Sequence, residues 1–65
     1  MNISINGEPI DTSAETLTVL LEQNGYADAT IATAVNSTFV SQGERENYLL
    51  KEGDQIEILA PMQGG

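Results

Sequence analysis

Sixty-five residues make one domain, and a chain this short buries only about 60% of the surface it exposes when unfolded, so each apolar position in the core counts. With no cysteine and no histidine, disulfides, Fe–S clusters, thiolate nucleophiles, imidazole bases and the usual zinc ligands are excluded. Ten Asp and Glu against Lys51 and Arg45 leave a formal net charge of −8, which argues against nucleic acid as a partner and favours a basic docking surface.

Asn2-Ile3-Ser4-Ile5-Asn6 alternates polar and apolar residues, the signature of a half-buried strand with Ile3 and Ile5 inward. Asn6-Gly7 is a strong two-residue hairpin signal because both positions tolerate positive φ. Glu8-Pro9-Ile10-Asp11 returns as a second strand with Ile10 inward, and Pro9, lacking an amide hydrogen, is compatible with a strand at a sheet edge or with the first residue of a strand. Thr12 and Glu15 have capping-box spacing, with Thr16 the other candidate N-cap. Leu17, Leu20 and Leu21 then form one apolar helical stripe, Thr18 and Glu22 face away, and Val19 sits on the wrong side of the wheel. Asn24-Gly25 ends this helix of two to three turns, which is too short to be stable unless docked on a sheet.

Tyr26-Ala27-Asp28-Ala29-Thr30 reads as a connector, and Ile31 through Asn36 as a strand with Ile31 and Val35 toward the core. Ala32 and Ala34 leave its other face flat. Asn36-Ser37 marks a turn into a short strand at Phe39-Val40. Ser41 through Glu46 lacks a period and reads as a loop with room for one helical turn, anchored to the core by Tyr48, Leu49 and Leu50. After a turn at Lys51-Glu52-Gly53-Asp54, the last strand, Gln55-Ile56-Glu57-Ile58-Leu59, points Ile56 and Ile58 inward and leaves Glu57 and Leu59 on the other face. The order implies an α+β fold: a mixed sheet of four to five strands crossed on one face by a single helix, the β-grasp arrangement, with the last strand central.

Residues 1–60 form this domain and 61–65 a tail. Pro61 stops the ladder, and beyond it Met62, Gln63, Gly64 and Gly65 offer little to pack, so the tail is expected to be flexible and thin enough to enter an enzyme cleft. The acids are scattered over turns and polar faces, no metal-loop spacing is present, and Ser37 and Ser41 have no His or Lys partner; an intrinsic active site or bound cofactor is not expected. The Gly65 carboxylate remains. Ionised at neutral pH it is a poor electrophile, and it becomes reactive only when another protein converts it to a mixed anhydride such as an acyl-adenylate. Glycine suits this chemistry because no Cβ crowds the carbonyl. Ala32, Ala34, Glu57 and Leu59, continuous with Met62, form the expected partner-docking face, against the plainer reading of Leu59 as a single exposed leucine.

Val35-Asn36, Val40, Leu50, Gly53-Asp54 and Ile56-Glu57-Ile58-Leu59, closing in Gly64-Gly65, together with the Thr16–Leu21 helix, resemble the ThiS sulfur carriers of thiamine biosynthesis. The resemblance implies a ubiquitin-like β-grasp fold and a cytoplasmic carrier that is a substrate of other enzymes. It also implies adenylation of Gly65 by an E1-like, ThiF-type enzyme using ATP. A sulfurtransferase system then supplies sulfur for a thiocarboxylate, and a ThiG-type thiazole synthase consumes it. At one place the chain departs from the pattern. Many members carry Pro-Arg after the valine and Trp three residues later; here those positions read Ser41, Gln42 and Arg45, so no partner contact through this loop is carried over. Rival readings are a molybdopterin-synthase small subunit, a ubiquitin-like tag joined to lysine amines, and a passive β-grasp binding module. A phosphopantetheine carrier would be a helical bundle with an Asp-Ser-Leu triplet, which this chain lacks.

Overall fold

Two short hairpins and a final strand close into one five-stranded sheet in the computed structural model, which describes residues 1–27 and 29–60. The strands are β1 (Asn2–Ile5), β2 (Glu8–Asp11), β3 (Ala32–Val35), β4 (Thr38–Val40) and β5 (Gln55–Leu59), and the helix α1 is Leu17–Gln23. Their order is β2-β1-β5-β3-β4, which puts β5 in the centre, parallel to β1 and antiparallel to β3. Pro9 lies on the edge strand β2, where its missing donor breaks no ladder. Both hairpins turn on asparagine at positive φ: Asn6 (51°) with Gly7 (85°), and Asn36 (52°) with Ser37 (70°). Left-handed backbone at both central residues matches the twist of the flanking strands.

The core is Ile3, Ala14, Leu17, Leu20, Leu21, Val35, Val40, Leu50, Ile56 and Ile58, with Ile5, Ile10, Tyr26, Ile31 and Tyr48 packed half-buried against it. The leucine stripe of α1 is buried as its spacing requires, and Val19 is exposed. Thr16, not Thr12, caps the helix: its hydroxyl accepts from the Val19 amide at 3.3 Å. Thr12 instead closes a local turn, accepting from the Ala14 amide at 3.0 Å and donating to Gln23 Oε1 at 3.0 Å. At the other end Gly25 takes φ 86°, and the amides of Gly25 and Tyr26 reach back to the carbonyls of Glu22 (3.3 Å) and Leu21 (2.8 Å). Glycine is favoured in that left-handed position because it has no Cβ to clash.

The stretch after β4 is more ordered than its composition suggests. A 3-10 helix runs Gln42–Asn47, with the Glu44 carboxylate accepting from both the Ser41 hydroxyl (2.9 Å) and the Ser41 amide (3.2 Å). Those bonds, the hydroxyl first, hold the Glu44 carboxyl below the ordinary glutamate range. Arg45 turns inward and is buried, donating from Nε to Thr33 Oγ1 (3.0 Å) and from Nη2 to the Ile31 carbonyl (2.8 Å). Thr33 is accordingly a core residue alongside Val35; its hydroxyl also donates to the Val40 carbonyl at 2.8 Å.

One expected anchor is wrong. Leu49 is 66% exposed, whereas Leu50 is buried and Tyr48 half-buried. Residues 48–50 run extended beside the start of α1: the Leu17 amide donates to Tyr48 O (3.0 Å), the Leu50 amide to Glu15 O (2.9 Å), and Thr16 bridges Leu49. Successive side chains of an extended segment point to opposite sides, so two can anchor and the one between them cannot.

Candidate functional site

β5 alternates through its whole length. Ile56 and Ile58 are buried under α1, while Gln55, Glu57 and Leu59 are exposed on the opposite face. Antiparallel register then decides what shares that face. Ala32 lies opposite Leu59, and Ala34 lies opposite Glu57 on one side and Phe39 of β4 on the other. The four expected docking residues, Ala32, Ala34, Glu57 and Leu59, are therefore neighbours on the sheet face away from the helix.

Phe39 joins them. It is 68% exposed and Leu59 69% exposed, so two large apolar side chains flank a floor of alanines on a face that, among the described residues, no helix covers. Phe39 is not among the four expected residues, although its signal is in the chain: a two-residue turn at Asn36-Ser37 pairs Val35 with Thr38 and so Ala34 with Phe39. Small residues between large ones make a surface that a partner's side chains can enter, and the Glu57 carboxylate beside them suits a basic partner. A shallow, mostly apolar depression lined by Thr30, Ile31, Ala32, Leu59 and Ala60 continues this face to the point where the chain leaves β5.

Pro61, Met62, Gln63, Gly64 and Gly65, and with them the tail and its terminal carboxylate, lie outside the described residues, as does Asp28. What is described is the mount. β5 is flanked by strands on both sides, and its start is tied in further: the Gln55 amide donates to Asn36 Oδ1 (2.9 Å), and Asn36 Nδ2 donates to Oδ1 of the buried Asp54 (3.0 Å). Oδ2 of Asp54 accepts from the Lys51 amide (2.9 Å), closing the preceding turn. Among the described residues no three Asp or Glu side chains converge on a possible metal site, and no helix is long and apolar enough to cross a membrane.

The fold and sequence both have close counterparts. A crystal structure of a thiamine biosynthesis protein (ThiS) from Geobacter metallireducens superposes with a TM-score of 0.83 at 30% identity, each chain covered in full. A solution structure of a thiamine biosynthesis protein from the same organism gives 0.80 at 28% identity, covering all of this chain and 88% of that one. Among curated proteins, the sulfur carrier protein ThiS of Thermus thermophilus is 34% identical over 61 residues, covering 94% of this chain and 95% of the relative. A thiazole synthase of Magnetococcus marinus is 39% identical over 66 residues, but the chain spans only 20% of that longer protein. The model of the ThiS family matches residues 2–65. The chain belongs to the ThiS family.

Proposed function

We propose that this protein carries sulfur for thiazole formation in thiamine biosynthesis, with the Gly65 carboxylate as the group that is activated and loaded. The observation that carries the reading is the delivery of the chain by β5, from the centre of the sheet, beside an exposed apolar face, six residues before Gly65. A substrate protein needs a surface by which an enzyme can grip it and an end that reaches the enzyme's centre. Here one strand supplies the first and leads directly into the second.

In this proposal the face of Ala32, Ala34, Glu57, Leu59 and Phe39 docks on a ThiF-type adenylating enzyme, and the residues Met62, Gln63 and Gly64 thread its cleft. A Gly65 carboxylate oxygen attacks the α-phosphorus of ATP and pyrophosphate leaves, giving the acyl-adenylate. The terminal sulfur of a sulfurtransferase persulfide attacks the Gly65 carbonyl and expels AMP, and a thiol then attacks the sulfurtransferase sulfur of the resulting acyl disulfide, releasing the thiocarboxylate and leaving a disulfide on the thiol's side. A ThiG-type thiazole synthase then takes the sulfur. Every catalytic group belongs to a partner, ATP is the activating enzyme's substrate, and the setting is the cytoplasm.

That one relative is named as a thiazole synthase and carries a stretch like this chain supports thiazole over molybdopterin as the destination. The test is intact-mass spectrometry of the protein incubated with a ThiF-type enzyme, ATP and a sulfur donor. A gain equal to exchanging one oxygen for sulfur is expected in the wild type and absent when Gly65 is deleted. A gain that survives the deletion removes the tail from the mechanism.

A further inference from the structure

Parallel pairing of β1 with β5 runs out at Ile56, three residues before β5 does. The Ser4 amide donates to Asp54 O (3.0 Å) and the Asn6 amide to Ile56 O (2.8 Å). The next amide and carbonyl on that side belong to Ile58, and by then the chain has turned at Asn6-Gly7 into β2. Left alone, this pair would be a loose strand edge at the point from which the tail departs. The Asn6 carboxamide fills the gap. Its Oδ1 accepts from the Ile58 amide at 2.8 Å and its Nδ2 donates to the Ile58 carbonyl at 3.1 Å. A primary carboxamide presents an acceptor and a donor on the same side, as the C=O and N–H of one strand residue do toward a neighbouring strand, so one side chain replaces the missing strand residue. Positive φ at Asn6 lets the backbone leave while the side chain stays.

We propose that Asn6 is a positioning residue for the reactive end, a latch on Ile58 that fixes where and in which direction the tail leaves the sheet. The proposal rests on Gly65 being the loaded group. Ile58 is followed by Leu59, Ala60 and the five tail residues; without the latch this end of β5 is held from one side alone, by Leu59 on Ala32, and can swing about that edge. Reaction at a distant centre depends on how often the end group arrives in line, and a displacement of about 1 Å can cost about a hundredfold in rate. Leu59 remains paired to Ala32 on the other side of β5, so docking survives loss of the latch.

Two variants isolate the side chain. Asn6→Gly keeps a residue at ease with the turn's φ and removes both latch bonds. Asn6→Asp keeps the acceptor but replaces the donor with a charge facing the Ile58 carbonyl. For Asn6→Gly, amide exchange at Ile58 should rise roughly tenfold, the loss of two modest hydrogen bonds. The kcat for adenylation should fall several-fold while KM stays close to wild type, and the midpoint of thermal unfolding should drop by no more than the roughly 5–10 °C that two lost hydrogen bonds imply in so small a domain. For Asn6→Asp, the Ile58 amide shift in NMR should titrate with the new carboxyl and return toward wild type as that group gains a proton and becomes a donor. Unchanged exchange at Ile58 overturns the latch, and unchanged kcat with a loosened Ile58 overturns the positioning role. The NMR measurements need no partner, so they stand even where the wild type gains no sulfur and the carrier reading itself fails.

Discussion

The two faces of the sheet are built from the same strands and answer to different demands. On the inner face Ile3, Val35, Ile56 and Ile58 meet Leu17, Leu20 and Leu21 of the helix and are almost wholly shielded from water. On the outer face Leu59 and Phe39 stand more than two-thirds exposed over Ala32 and Ala34. In β5 the two roles alternate residue by residue, so each step along the strand passes from a side chain that holds the domain together to one available to a partner. The difference teaches that stability and the proposed docking are separable: damage to one face should spare the other.

The largest effect is expected from the inner face. Leu20→Ala removes a fully buried side chain and leaves a cavity, costing about 2–5 kcal/mol, a large share of the stability of so small a domain. Urea unfolding followed by circular dichroism measures it, and a loss below about 1 kcal/mol would mean that the helix stripe is not what holds the sheet. The converse test uses the outer face. Leu59→Glu should weaken binding to the activating enzyme by about tenfold or more, as expected for a central apolar contact, and Phe39→Ala should weaken it in the same assay. Stability should change by no more than about 0.5 kcal/mol in either, because the substituted atoms are in water. Full-strength binding by both variants would reduce the outer face to ordinary surface.

The smallest effect lies away from both faces, at the exposed Ser41–Glu44 pair. The folded state holds the Glu44 carboxyl below its unfolded value. That contribution is present above the ordinary glutamate range and is lost as pH falls through the lowered value. Ser41→Ala should raise the Glu44 titration midpoint back toward normal in an NMR pH series. Identical midpoints in the two proteins would show that the hydroxyl bond is not what lowers it.

Much of this was legible in the residues. Asn6-Gly7 and Asn36-Ser37 predicted both hairpins because few residue pairs accept left-handed backbone, and the alternation in β5 assigned Glu57 and Leu59 to the outer face without reference to any neighbour. Arg45 was not legible. A cation in a polar stretch reads as solvated, and only the tertiary fold brings it to the Thr33 hydroxyl and Ile31 carbonyl that let its head group be buried. Leu49 misled for the opposite reason: its apolar character pointed inward, but the strand-like pairing of residues 48–50 with the start of α1 turned it out.

Local chemistry alone thus determined the turns, the helix stripe and the alternation of β5, since each depends on one residue's conformational range or on a period of a few positions. Tertiary structure decided which residues share a surface. Phe39 joins Leu59 only through two strand registers, and Asn6 meets Ile58 across fifty-two positions of sequence. Contacts of that kind arise when the chain closes on itself, because the free energy that selects them comes from burying the common core.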